Sequence, residues 1–116
     1  MVNKMLTKTI DYREIARVSS KEELILLSLY RKELYGLQIP EAIKEASQGK
    51  TKLLVGTLYP VLHSLEKKQL VESRWGDERA ERGGARRRYY RLTGSGEAAI
   101  EAKQAFRTDL LAWQPV

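Results

Sequence analysis

The groups best equipped for chemistry in this chain are guanidinium groups. Residues 82–90 read RGGARRRYY, four arginines set around two adjacent glycines and followed at once by a tyrosine pair. Arginine offers a planar fork of donors that matches phosphate oxygens two at a time, so the chemistry available here is polyanion binding. The charge pattern points the same way. The 116 residues hold 21 Lys/Arg against 15 Asp/Glu, a net charge of +6. Between Lys50 and Arg91, eleven basic residues face five acidic ones, so this block carries the whole excess and the rest of the chain is neutral. A localised excess marks a polyanion-binding surface, whereas charge carried for solubility would be spread more evenly. A solvated basic face or a loose basic linker is the plainer alternative.

Other chemistries find no support. His63 is the sole histidine and there is no cysteine, so neither a metal centre nor a disulfide is expected. No nucleophile–base pair, paired carboxylate or phosphate-cradling loop occurs at a meaningful spacing. GTLYP at 56–60 is unlike a nucleotide-binding loop, and RGGARR lacks the lysine and the strand-to-helix context of one. An enzyme is therefore not expected, nor a cofactor. No apolar run reaches the roughly 18 residues of a membrane span, and the first twenty residues lack a signal peptide's apolar stretch. A cytoplasmic protein without a membrane partner is the expectation.

The elements that must position these arginines can be read from period and punctuation. Residues 9–17 allow a short helix. Ser20 and Glu23 match a capping box, and Leu24, Leu27 and Tyr30 recur at helical spacing, which predicts a helix from about Lys21 to Lys32. A second helix starts near Leu37–Pro40 and runs to about Ser47, with Gly49 ending it. In the third, Leu58, Val61, Leu62 and Leu65 form one buried stripe, which leaves Pro60, His63, Ser64 and Lys67 on the opposite side with Thr57 and Tyr59 flanking. Hydroxyls, an imidazole and a lysine on one face suit base edges and phosphates, although a plain amphipathic surface helix would look the same. His63 is thus a DNA-facing contact or a solvated surface residue.

Two strand-like runs follow, Val71–Trp75 and residues 87–93, with a polar, glycine-bearing tip between them. Trp75 is expected to pack in the core, and Tyr89 and Tyr90 must point to opposite faces. Thr93 can cap a long last helix, along which Ala99, Ala102, Phe106, Leu110 and Trp113 lie close to one stripe. Three helices, a hairpin and a helix make a mainly α (α+β) fold in the order of a winged helix-turn-helix domain. Its third helix, about 56–68, would enter the major groove, and its wing, about 76–88, would touch phosphates or the minor groove. The expected division is an N-terminal extension, 1–18, a winged-helix domain, 19–92, and a C-terminal dimerisation helix, 93–116.

GTLYPVLHSLEKKQLVESRW, then GGARRRYYRLT, then the T-x-x-G of Thr93–Gly96, together with LYG at 34–36, resemble the PadR family of bacterial transcriptional regulators. The resemblance covers about residues 19–112. It implies a dimeric repressor of promoter DNA, with Ala99, Ala102, Phe106, Leu110 and Trp113 supplying the dimer interface. It places Thr57, Leu58, Tyr59 and Pro60 at the start of the recognition helix, Tyr59 near the DNA backbone, and Gly83, Gly84 and Arg86, Arg87, Arg88 in the wing. With Lys52, His63, Ser64, Lys67 and Arg82 these complete the expected DNA contacts. Some short relatives bind planar aromatic molecules between the two final helices, so a small aromatic effector near Trp113 is implied as well as dimer packing. Size and a basic N-terminal extension also resemble the cyanobacterial Pex (period extender) branch, which implies repression of a clock gene. Two features depart from the family pattern: Leu54–Val55 replaces its usual Ser/Pro pair before GTLYP, and Pro40 lies in the second helix. A winged-helix module that docks on a protein rather than on DNA is the alternative function.

Overall fold

The structure, a computed structural model, describes residues 9–77 and 86–116. A 3-10 helix, Tyr12–Arg17, leads into α1 (Ser20–Ser28), a short strand β1 (Leu34–Tyr35), α2 (Gln38–Ala46), α3 (Val55–Lys67), the strands β2 (Val71–Trp75) and β3 (Arg88–Leu92), and α4 (Gly94–Ala112). The three strands form an antiparallel sheet in the order β1-β3-β2. Among the described residues, no helix is long and apolar enough to cross a membrane.

Helix α1 is entered one residue earlier than the sequence predicts. Ser19, not Ser20, accepts from the Glu22 N–H at 3.2 Å, and the Glu22 carboxylate returns a bond to the Ser19 N–H at 2.9 Å. Both serines have a glutamate three residues on, so the local motif alone cannot choose between them. Packing chooses. The observed register turns Ile25, Leu26 and Leu29 into the core, while Leu24 and Tyr30 are half-buried and Leu27 is exposed. The helix stops at Ser28, four residues short of expectation, and Arg31 adopts a left-handed φ of 57° as the chain turns into β1.

Helix α2 begins inside the predicted window with Pro40 as its third residue, where a missing N–H removes no intrahelical bond. Helix α3 buries Leu58, Leu62 and Leu65 as expected, Val61 of the same stripe is only half-buried against the core, and the N-cap, Leu54, supplies no side-chain bond. On β3, Tyr90 points into the core and Tyr89 to the other face, where its ring meets Tyr35 edge-on at 5.8 Å. Burial raises the Tyr90 phenol above its ordinary value and keeps it neutral.

The start of α4 is fastened to the loop before β2. The Thr93 hydroxyl donates to the Gln69 carbonyl at 2.6 Å and accepts from the Gly96 N–H at 3.0 Å, while the Thr93 N–H donates to the Leu70 carbonyl at 3.1 Å. Gly96 then passes so close to Leu70 that a Cβ there would strike its carbonyl oxygen. This contact gives the T-x-x-G spacing its physical meaning.

Two neighbouring glutamates of α1 join the helices. Glu22 receives Lys68 Nζ at 2.9 Å and the Ser64 hydroxyl at 3.2 Å, both from the end of α3. Glu23 is paired with Arg107 of α4 through both guanidinium nitrogens, Nη2 at 2.7 Å. The Arg107 bond chiefly holds the Glu23 carboxyl below the usual range. For Glu22, burial is the largest influence and opposes ionisation, but the Ser19 N–H, Lys68 and Ser64 together outweigh it and keep its carboxyl low too.

Candidate nucleic-acid interface

The outward side of α3 presents Tyr59, Pro60, His63 and Lys67 to solvent, with Lys52 exposed on the loop before it and Thr57 half-buried at the flank. Ser64 does not share that side. It sits at the edge facing α1, where its hydroxyl is spent on Glu22, so it leaves the set of expected base-reading groups. Tyr59 is 44% exposed and lies across Gly36: a Cβ on that glycine would sit 2.6 Å from the phenol oxygen and 3.1 Å from two ring carbons. The LYG turn therefore needs glycine to let the tyrosine lie flat, and Gly36 is pinned in turn by its N–H bond to the Arg88 carbonyl at 3.2 Å.

Between this tyrosine and the root of the hairpin lies a cleft of about 580 Å³ lined by Tyr35, Gly36, Leu37, Tyr59, Trp75, Tyr90 and Arg86, Arg87 and Arg88. Its arginines are stacked on aromatic rings. Arg87 lies 4.4 Å from the Tyr35 centroid, and Arg86 and Arg88 lie 5.6 and 5.2 Å from that of Trp75. Such stacking orders a guanidinium without neutralising it. Arg82, Gly83 and Gly84, expected at the wing tip, lie outside the described residues.

The three consecutive arginines differ in what they can do. Arg86 and Arg87 are exposed, with Arg86 Nε donating to the Gly76 carbonyl at 3.2 Å. Arg88 is tied inward: Nε donates to Ser73 Oγ at 3.0 Å and Nη2 reaches Glu66 of α3 at 3.5 Å. Trp75, expected in the core, is instead 51% exposed. The alternation of Val71, Ser73 and Trp75 places all three on one side of β2, but the core ends near Ser73 and the indole projects past it. Nothing in the alternation itself could have shown where the core ends.

The stripe along α4 also divides. Ala99 and Ala102 are fully buried within the chain itself, so they are not available to a second protomer, contrary to expectation. Phe106, Leu110 and Trp113 are exposed, and Leu111, absent from the predicted set, is 86% exposed beside them. Helix α4 leaves the core after Ala102, and the same stripe changes from core to surface at that point.

Residues 25–102 match the transcriptional regulator PadR-like family. The chain belongs to that family. The match runs from within α1 to the first half of α4, so the exposed half of α4 lies beyond it. An uncharacterised protein of Lysinibacillus sphaericus is 34% identical over 79 residues, 68% of this chain and 70% of its relative. A PadR-like transcription factor from Bacteroides fragilis is 30% identical with a TM-score of 0.70, over 86% of this chain and 91% of the other. PadR of Bacillus subtilis, solved in complex with operator DNA, is 25% identical with a TM-score of 0.59 over 84% of this chain and half of that longer regulator. As a PadR-like protein this chain is a transcription regulator and not an enzyme. The GTLYP of the PadR-like match is the stretch that lays Tyr59 over Gly36, and its T-x-x-G is the clasp between α4 and Leu70.

Proposed function

We propose that this PadR-like regulator binds operator DNA as a homodimer and represses transcription. The observation that carries the proposal is the cationic cleft, which sets the exposed Tyr59 of α3 beside the stacked Arg86 and Arg87 at the hairpin root, while His63 and Lys67 are exposed further along the same helix. In that arrangement α3 lies in the major groove, where His63 reaches base edges, while Tyr59, Lys52, Lys67, Arg86 and Arg87 hold the two backbones that flank it. The sequence assigns Arg82, Gly83 and Gly84 to the same phosphate contact. The relative solved in complex with operator DNA supports operator DNA as the partner.

Phe106, Leu110, Leu111 and Trp113 give α4 an apolar half that a second copy would cover, so the operator should contain two half-sites related by the dimer axis. The aromatic pair Phe106 and Trp113 would also suit a planar aromatic effector between two such helices. The Pex-like extension supports a clock gene as the target. Selecting bound fragments from the host's genomic DNA tests the proposal directly. A two-fold symmetric motif whose binding weakens steeply with salt is the expected result. Absence of sequence preference, with a protein partner co-purifying instead, would favour the interaction module.

A further inference from the structure

Trp75, the last residue of β2, stands half in water at the edge of the cationic cleft. Folding does not require this, because Tyr90 and Val71 already fill the inner face of the sheet. A large ring left exposed loses hydrophobic stabilisation that a bound partner would restore.

The ring is also held in place. Arg88, opposite Trp75 in the β2–β3 register, and Arg86 stack against it. Arg88 bonds to Ser73, and the Ser73 hydroxyl donates to Glu66 Oε2 at 2.7 Å, the same oxygen that Arg88 approaches at 3.5 Å. Glu66 belongs to α3. The indole is thus braced by the helix that carries the outward residues, and little entropy would be lost in fixing it on a ligand.

Cations beside the ring disfavour a wholly apolar or a basic occupant. The partner must present an anion and an apolar face a few ångströms apart, as a nucleic-acid strand does with its phosphate and its sugar or base. We propose that Trp75 contacts DNA, packing its ring on a deoxyribose or base face beside the phosphate held by Arg86, with Arg88 as its brace rather than a phosphate ligand. The proposal rests on the operator-binding reading above.

The test uses the full chain and a duplex enriched by the wild-type protein from a random-sequence library. The emission of Trp75 is obtained as the difference between wild type and Trp75→Phe. It should fall on duplex binding and become shielded from acrylamide. Trp75→Ala should weaken binding about tenfold at fixed salt, while Trp75→Phe keeps most of the affinity. The slope of log K against log salt should stay unchanged in Trp75→Ala, whereas Arg86→Ala, which removes one cation from each protomer, should reduce it by about two. Two results would overturn the proposal: a mobility shift with no change in Trp75 emission, or a Trp75→Ala loss that appears as a slope change of about two, as if the ring only placed an arginine in each protomer. If the wild type retains no duplex at any salt, the operator-binding reading fails and this proposal with it. Should Trp75→Ala not fold, the emission of wild type against Trp75→Phe still decides.

Discussion

Replacing Gly96 by alanine sets two effects of opposite sign against each other. In a helix, alanine is favoured over glycine by about 0.5–1 kcal/mol. At Gly96, however, the added methyl would collide with the Leu70 carbonyl, its carbon 3.0 Å and its Cα 3.4 Å away. Leu70 cannot yield easily, because its side chain is fully buried and its carbonyl accepts the Thr93 N–H. Relief requires the start of α4 to lift. That loses a backbone hydrogen bond, at about 1 kcal/mol, and loosens the packing of Ala99 and Ile100, at about 1–3 kcal/mol. Set against the propensity gain, the net loss is about 1–3 kcal/mol. For a domain of this size that lowers Tm by roughly 4–12 °C. Gly94 is the control: two residues earlier in the same helix, a Cβ there meets nothing within 4 Å. Gly94→Ala should therefore leave Tm unchanged or raise it by a few degrees, up to about 1 kcal/mol. Both are read by far-ultraviolet circular dichroism on heating, at one protomer concentration because a dimer's Tm depends on it. If Gly96→Ala melts at or above the wild type, the close approach does not fix α4 and the account of the T-x-x-G pair is wrong.

Arg107→Ala leaves the buried Glu23 carboxylate without its cation. Because the arginine itself is half in solvent, the expected cost is on the order of 1–2 kcal/mol in urea denaturation rather than the larger figure for a sealed pair. Glu23 is held below its ordinary 4.5, so its contribution is complete at neutral pH and is lost as pH falls below about 4.5 towards the folded value. Wild-type stability should fall more steeply than that of Arg107→Ala in that window, and parallel pH curves would refute the linkage. Ser64→Ala should keep the wild-type sequence preference in a random-library selection and lose about 1 kcal/mol of stability, since its hydroxyl serves Glu22. His63→Ala should instead change the selected bases. Leu110→Glu should shift the mass in sedimentation from dimer to monomer at micromolar concentration; an unchanged mass would remove the exposed half of α4 from the dimer contact.

What the sequence reveals about this fold depends on how many residues each decision uses. The stripe of α3, the cap of α4 at Thr93 and the opposition of Tyr89 and Tyr90 each follow from several residues in agreement, and all three appear in the structure. The register of α1 does not. Leucines and isoleucine occupy nearly every side of ILLSL, so only tertiary contacts, the core packing of Ile25, Leu26 and Leu29 together with Lys68 and Arg107, fix which pair of Ser and Glu closes the cap. Strand β1 spans two residues and exists because β3 offers an edge, through Leu34 opposite Tyr90 and Tyr35 opposite Tyr89. No periodicity can be seen in two residues. Trp75 and Ala102 mislead for a shared reason: a face is visible in the sequence, but the point where that face runs past the end of the core is not.

The charge block carries a consequence that counting residues alone would misjudge. Of its eleven cations, Lys68 is bonded to Glu22, Arg74 to Glu33, Arg88 to Glu66 and Arg91 to Glu72. These four join helices and strands, and two of their partners, Glu22 and Glu33, lie outside the block. Lys50, Lys52, Lys67, Arg86 and Arg87 are exposed, while Arg79 and Arg82 lie outside the described residues. If each of these five cations releases one counterion at about 0.9 per phosphate contact while the four ion pairs stay closed, a dimer should show a slope of log K against log salt of about −9, and the two others would take it to about −13. If all eleven bound phosphate, the slope would approach about −20. A measured slope near that last value would mean that all four pairs, Arg88–Glu66 among them, open on DNA. The brace from α3 to Trp75 would then not persist in the complex, and the ring could not be preorganised by it.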